Sequence, residues 1–295
     1  MRILLTGASG LVGPEVARRA AGDHEVRRLV RREPGADEYR WDPSAGTLPT
    51  EAIEWADAVI SLSGASLARL PWTAEYRAEI LRSRTDATGT IARVVSEASS
   101  PPQVWVSASA VGIYGDRPGE TLTEESAPGT GYLADVVRAW ERACAPASAS
   151  TRVVNARTGL VIAKGGALKP LVLTTRFGLG AAIGDGRQHW PWVGLADEAR
   201  ALLHLATASA LSGPVNIVGP EQATSREVTT ALAQALRRPH LLRLPRFALK
   251  AAMGLAAEEL LLADQAVVPE ALLEEGFVFE ETSAAQAVAV AVTRP

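Results

Sequence analysis

The stretch R-I-L-L-T-G-A-S-G-L-V-G, residues 2–13, decides the fold. Arg2–Thr6 is a short apolar run that ends at a glycine loop, the pattern of a parallel strand buried on both faces. Gly7, Gly10 and Gly13 follow at the spacing G-x-x-G-x-x-G, and Leu11 to Ala21 reads as a helix. Pro14 falls in its first turn, where a missing N–H costs little. Strand, glycine loop and helix in that order form a cradle for a dinucleotide. Small residues let the backbone approach a pyrophosphate, and the helix start, at Leu11, Val12 and Gly13, offers N–H groups and a positive dipole end.

Working outward, E-V-R-R-L-V-R-R (25–32) supplies a second strand and D-A-V-I-S-L-S-G (57–64) a third. A long amphipathic helix is expected from about Thr73 to Ala98, then a strand in P-P-Q-V-W-V-S-A-S-A (101–110). Leu133 to Cys144 reads as helix and Thr151–Ile162 as strand again. Strands alternating with helices of this length mean βαβ units, right-handed crossovers and a parallel sheet. The class is therefore α/β, a Rossmann-like doubly wound sheet. The second half changes character, with a glycine- and tryptophan-rich stretch (177–194), a helix, and a short strand in G-P-V-N-I-V-G (213–219). From Glu221 the reading is mostly helical, closed by a strand in G-F-V-F-E-E (276–281). We expect a dinucleotide-binding domain over 1–163, its sheet completed by about 188–218. A small, mainly helical C-terminal subdomain on the substrate side would take 164–187 and 219–295.

The chain has 295 residues, 47% apolar and 21% charged, enough for a sizeable core. Its formal net charge of -3 gives no reason to expect nucleic acid or a membrane surface as partner. One cysteine, Cys144, rules out an intrachain disulfide, and no signal-like segment or membrane span is legible. A cytoplasmic protein, monomer or homodimer, is the expectation. His24, His204 and His240 lack metal-ligand spacing, so no metal is expected.

The residues that end the second strand choose the cofactor. NAD enzymes place an acid there to accept from the ribose 2′-OH. Here stand Arg31 and Arg32, and a guanidinium suits a 2′-phosphate. NADP is favoured over NAD, with Glu33 leaving room for the latter.

T-G-A-S-G-L-V-G, S-A-S-A-V-G-I-Y-G (107–115) and the helix after Tyr132 resemble the extended short-chain dehydrogenase/reductases. Further segments resemble an atypical branch known only as epimerase family proteins, within the NAD-dependent epimerase/dehydratase superfamily and carrying a C-terminal domain of unknown function. These are D-A-V-I-S-L-S-G-A-S-L (57–67), the helix start W-T-A-E-Y-R-A-E-I-L-R-S-R-T-D-A-T (72–88), G-L-G-A-A-I-G-D-G-R-Q-H-W-P-W-V (178–193), N-I-V-G-P-E-Q-A-T-S-R-E-V (216–228) and G-F-V-F-E (276–280). The resemblance spans essentially the whole chain. It implies that Gly7, Gly10 and Gly13 meet the pyrophosphate, that Arg31 meets the 2′-phosphate, and that Ser63, Gly64 and Ala65 flank a ribose. Ser107 and Ser109 fall at the family's catalytic serine, with Ser109 preferred and Ser107 left beside the cofactor. Each is also explained as a strand-end hydroxyl bonding backbone. Arg187, His189 and Trp190 become substrate-side candidates, against the alternative that Trp190 and Trp192 simply pack as core.

The family's chemistry uses a tyrosine as acid/base, with a lysine four residues later that lowers its pKa and holds the nicotinamide ribose. Four residues beyond Tyr39, Tyr76, Tyr114 and Tyr132 stand Pro43, Ile80, Pro118 and Val136. The only lysines are Lys164, Lys169 and Lys250. By position Tyr132 fills the tyrosine slot and Val136 the lysine slot, so Tyr132 is a poor base at neutral pH or an aromatic lining the pocket. Arg138 is far around the helix from the Tyr132–Val136 face. Two functions stay open: an NADP-dependent oxidoreductase or epimerase acting on an unidentified small molecule, with its acid/base at Ser109, His189, Glu141 or a substrate hydroxyl, or an NADP-binding structural or redox-sensing protein with little turnover. On the long helix, Arg82 and Asp86 are expected to form a surface ion pair, and Arg84 and Asp86 to point to different faces.

Overall fold

The computed structural model describes residues 1–166 and 168–293. The chain begins β1 (Arg2–Thr6), α1 (Gly13–Ala20), β2 (Glu25–Val30), β3 (Glu38–Arg40), α2 (Thr50–Trp55), β4 (Ala58–Ser61), α3 (Ala74–Glu97) and β5 (Val104–Ala110). Next come β6 (Thr121–Leu122), α4 (Tyr132–Arg142), β7 (Arg152–Thr158), β8 (Leu160–Ile162), α5 (Lys169–Arg176), β9 (Gly180–Ile183), β10 (Trp192–Gly194), α6 (Leu195–Thr207) and β11 (Gly213–Ile217). The last part holds α7 (Ser225–Ala235), β12 (His240–Leu244), α8 (Arg246–Met253), α9 (Leu255–Ala257), β13 (Ala266–Val267), α10 (Glu270–Glu274) and α11 (Ala284–Thr293).

Seven strands form one parallel sheet in the order β11-β7-β5-β4-β1-β2-β3. The strands are apolar throughout because both faces are covered. Ile3, Leu5, Ala58, Ile60, Val104 and Val106 face α1 and α6, while Leu4, Val59, Trp105 and Val153 face α2 and α3. Trp105 is fully buried, and its indole N–H is satisfied by Ser61 Oγ at 2.9 Å. The fold is thus the Rossmann-like α/β sheet that the glycine loop announces. Among the described residues no helix is long and apolar enough to cross a membrane, and no cluster of His, Cys, Asp and Glu could hold a metal.

Three expectations are corrected. The run Thr151–Ile162 is two strands: β7 ends in the main sheet at Thr158, and β8 leaves it to pair with β10. Gly159 makes the break, because the Pro191 carbonyl lies where a side chain would be. G-F-V-F-E-E (276–281) is not a strand. Its alternation is real, with Phe277 and Phe279 buried edge-to-face at 4.9 Å against α6. Side chains of α6 replace the ladder: Asp197 accepts from the N–H of Glu280 and Glu281 at 2.9 and 2.8 Å, and Arg200 donates to Val278 O at 2.9 Å. Conversely, His240–Leu244 lies in a stretch expected to be helical and is β12, paired with β9. Pro239 and Pro245 bracket it and forbid a continuous helix.

Candidate functional site

In this strand order the direction of winding reverses between β1 and β4, and ligands of open α/β sheets bind at the carboxyl ends of strands there. Thr6 and Ser61 are register partners, so the glycine loop and the loop after β4 leave the sheet side by side. The Thr6 hydroxyl oxygen joins them, accepting from the Leu62 N–H at 3.1 Å and the Ser63 hydroxyl at 2.9 Å. Gly7 has φ +69°, and a Cβ there would lie 2.7 Å from the Leu62 carbonyl carbon. At Gly13 a Cβ would lie 2.5 Å from Gly7 O and 2.7 Å from Ala8 Cα. Gly10 donates its N–H to Gly7 O at 3.0 Å, closing the turn. Helix α1 then starts with no side-chain cap. The N–H groups of Leu11 and Val12 make no hydrogen bond to the described residues, and Gly10 and Leu11 are exposed. The helix thus starts with backbone donors left unused.

The charges after β2 separate into used and unused. Arg32 spreads both arms over Glu38, at 2.7 and 2.6 Å, and Glu33 pairs with Arg40. The Arg32 bonds and the Gly35 N–H hold the Glu38 carboxyl below its ordinary range. Both acids near the strand end are therefore engaged, while Arg31 is exposed and makes no ion pair with a described residue. Ser63 and Ala65 are half-buried and Gly64 exposed at the rim, whereas Ser107 is fully buried within β5.

The strand-end serines and Tyr132 do not meet. Ser109, 3% exposed, donates its hydroxyl to Glu141 Oε1 at 2.6 Å, more than two turns along α4 from Tyr132. Arg157 holds both oxygens of that carboxylate, at 2.8 and 3.0 Å, and also reaches the Tyr114 hydroxyl at 3.0 Å. Tyr114 in turn donates to Asn216 Oδ1 at 2.8 Å. Burial pulls the Arg157 pKa down, but the Glu141 bonds and charge outweigh it and raise the net value. This buried network crosses β5, β7, β11 and α4. Arg157, Tyr114 and Asn216 were not among the candidates, though an arginine inside the buried strand V-V-N-A-R-T demands a counter-ion and was legible on that ground.

Tyr132 opens α4, whose first N–H groups are capped across the fold. Glu259 accepts from Tyr132 N at 2.9 Å and Leu133 N at 3.1 Å. The phenol donates to Arg77 O at 2.7 Å, and its ring meets Trp72 edge-on at 5.7 Å. Burial raises the Tyr132 pKa, with the charges of Arg84 and Arg77 acting against it. Val136, in the lysine slot, is buried among Trp72, Tyr76, Ile80 and Leu133. The expected Arg82–Asp86 ion pair does not form; Arg82 is solvated, and arginine N-terminal to an acid is the weaker order on a helix. Arg84 instead turns inward and is 9% exposed.

The substrate-side candidates divide. Arg187 is exposed and makes no ion pair with a described residue. His189 is tied to Asp264, which accepts from its backbone N–H and lies against Nδ1, both at 2.8 Å. Trp190 and Trp192, 4% and 1% exposed, are core, their indoles donating to Leu261 O and Glu221 O. Trp190 therefore presents no ring for stacking. A cavity of about 240 Å³ opens beside the start of α4, lined by Gly115, Thr130, Arg246, Lys250, Glu258 and Glu259 among others. None of these lining residues is a site candidate on sequence grounds, because they come from segments more than a hundred residues apart.

With this geometry in hand, comparison with known proteins gives consistent matches. Residues 3–219 match the NAD dependent epimerase/dehydratase family, and residues 244–290 match a domain of unknown function, DUF1731. The chain is 41% identical to the epimerase family protein ML0860 of Mycobacterium leprae, covering 99% of this chain and 96% of that one. The crystal structure of human epimerase family protein SDR39U1 (isoform 2) with NADPH superposes with TM-score 0.90 at 30% identity, covering 100% of both chains. MoeE5 in complex with UDP-glucose and NAD shares the fold, with TM-score 0.77 at 21% identity over 99% and 97% of the two chains.

Proposed function

The chain belongs to the NAD dependent epimerase/dehydratase family, and from that premise we propose that it is an atypical extended short-chain dehydrogenase/reductase that binds NADP(H). The observation that carries the choice of cofactor is Arg31, exposed after β2 and paired with no described residue, while Glu33 and Glu38 are held by other arginines. The NADPH bound by the human relative SDR39U1 supports the same reading.

Gly7, Gly10 and Gly13, with the unused N–H groups of Leu11 and Val12, would hold the pyrophosphate, and Arg31 the 2′-phosphate. Ser63, Gly64 and Ala65 would border a ribose, with Ser107 packed beneath. When bound, the nicotinamide supplies hydride transfer. The substrate is a small molecule received on the side of the cavity that Arg246 and Lys250 border, and Asp185, on which the charges of both Arg246 and Arg187 act, links Arg187 to that side. The substrate side is assigned to residues 164–187 and 219–295.

A second reading, that the dinucleotide is a structural ligand or redox sensor with little turnover, has its own observation. The Ser109 hydroxyl is committed to Glu141, the Tyr132 phenol to Arg77 O, and Val136 replaces the lysine. Titration with NADP(H) and NAD(H) tests the cofactor; stronger NAD(H) binding would overturn the assignment. A single-turnover assay, following the 340 nm absorbance of bound NADPH against a panel of carbonyl compounds, separates the two functions. Absorbance loss supports the enzyme, and retained binding without transfer across the panel supports the sensor.

A further inference from the structure

The small sheet of the C-terminal half departs from the rule that the main sheet obeys. β9 and β12 run parallel, and parallel strands are normally covered on both faces. All four residues of β9 are buried, but β12 is bare. Leu241, Leu242 and Leu244 are exposed, Leu241 at 86%, and successive residues of a strand point to opposite faces. Neighbouring segments enlarge this surface. Exposed Leu179 leads into β9 where a Cβ on Gly180 would strike the Pro239 carbonyl, and its N–H bonds Thr174 O of α5. Leu173 and Phe177, four residues apart along α5 and its end, are exposed, as is Phe247 in the first turn of α8. The two phenylalanine rings are each 76% exposed. Most of the exposed large apolar side chains among the described residues fall in these segments.

The charge of the same segments is one-sided. Residues 168–184 contain Lys169 and Arg176 and no acid, and residues 228–257 contain Arg237, Arg238, Arg243, Arg246 and Lys250 and no acid. The whole chain has 33 acidic against 30 basic residues, so its net charge of -3 conceals a basic sector. Acids of adjoining segments reach two of these cations: Glu258 pairs with Lys250, and Asp185 feels the charge of Arg246. Lys169, Arg176, Arg237, Arg238 and Arg243 are exposed and make no ion pair with a described residue.

Three features choose what covers this face. The β12 edge is guarded against an added strand, because Pro239 and Pro245 bracket it and Arg243 stands on it. A second copy meeting the face about a two-fold axis would set arginine against arginine. The apolar side chains project from helix ends and a strand rather than line a groove, so a rigid partner would need a hollow for each. A fluid surface moulds itself to such projections, and its anionic headgroups complement the arginines.

We propose that this face docks the protein on an anionic lipid surface. Phe177, Leu241 and Phe247 enter the boundary between headgroups and acyl chains, while Arg176, Arg237 and Arg238 meet lipid phosphates. The association is peripheral, held by side chains on one face of the C-terminal half.

The test uses the full chain in co-sedimentation at low salt, with vesicles of phosphatidylcholine alone or mixed with phosphatidylglycerol. The parent protein is expected to bind the mixed vesicles about tenfold more tightly, and to be released as salt is raised. Phe177→Ser combined with Phe247→Ser is expected to keep the parent melting temperature, because both rings already stand in solvent. It should lose about tenfold in affinity for the mixed vesicles. Arg237→Glu combined with Arg238→Glu is expected to abolish the preference for the anionic lipid. Parent protein that sediments with neither vesicle overturns the proposal. So does binding that the phenylalanine pair leaves unchanged, since adsorption by charge alone does not need these rings. A lipid preference that survives in the arginine pair overturns it too, and decides alone should the phenylalanine pair not fold. Sedimentation velocity covers the competing occupant. A dimer that the phenylalanine substitutions dissociate, in protein that binds no vesicle, assigns the face to a second copy and overturns the lipid assignment.

Discussion

Ser109 Oγ donates a 2.6 Å hydrogen bond to Glu141 Oε1, and Arg157 grips the same carboxylate on both oxygens. The hydroxyl at the family's catalytic position is thus a strut between β5 and α4. Removing Glu141 leaves Arg157 buried without a counter-ion. Glu141→Gln is expected to lower unfolding free energy by about 3 kcal/mol or more, and Ser109→Ala by about 1 kcal/mol. Urea denaturation of both variants checks the order; equal losses would contradict a network centred on the carboxylate.

Arg31 and Arg32 are adjacent but differently employed, since Arg32 is bound to Glu38 and Arg31 pairs with no described residue. Arg31→Asp should weaken NADPH binding at least tenfold and leave the melting temperature unchanged. Arg32→Ala should leave the preference for NADPH over NADH in place. Calorimetric titration of the two variants with both cofactors decides; a preference lost only with Arg32 would move the 2′-phosphate contact.

Glu198 bears on pH stability. It is buried, its Oε1 accepts from the Thr158 hydroxyl at 2.8 Å, and its Oε2 has no hydrogen-bond partner among the described residues. Burial, opposed by the Thr158 bond, raises its pKa to about 8 from 4.5. Between those values the unfolded chain gives up its proton and the folded protein keeps it. Stability therefore falls as pH rises through that window, and the loss is complete above about 8. Glu198→Gln should be more stable than the parent at pH 8, by on the order of 2 kcal/mol, with the gain vanishing near pH 5. Thermal melts across pH 5–9 test this, and a gain independent of pH would refute it.

Gly13 and Gly10 differ in what surrounds them. A Cβ at Gly13 would strike Gly7 O and Ala8 Cα, whereas at Gly10 its nearest neighbour, Gly7 O, is 3.3 Å away. Gly13→Ala should cost about 1–3 kcal/mol of stability and abolish measurable dinucleotide binding. Gly10→Ala should keep the fold and lose affinity only. Melting curves paired with NADPH titration distinguish them; a fully binding Gly13→Ala would deny the cradle its role.

Much of this protein was legible along the chain because the signals are local. The apolar run Arg2–Thr6, the glycine spacing and the helix after it specify backbone geometry within a few residues, so β1, the cradle and α1 follow from sequence. The arginine that follows β2 was likewise readable, as was the absent lysine. Periodicity misled where an alternating pattern found a partner other than a strand. Phe277 and Phe279 alternate as expected, but α6 side chains bond the backbone of Val278, Glu280 and Glu281 in place of a neighbouring strand.

The tertiary structure decided how the charges are used. Sequence marks Glu141, Arg84, Arg31 and Glu259 alike as charged residues on helices or at a strand end. Packing commits Glu141 to Arg157 and Glu259 to the start of α4, leaves Arg31 in solvent, and buries Arg84 over Trp140 beside the Ser63–Ala65 loop. Backbone preference acts over one or two turns and can be read in order. A buried charge is governed by whichever group the fold brings within a few ångströms, and those groups come from segments far apart in the chain.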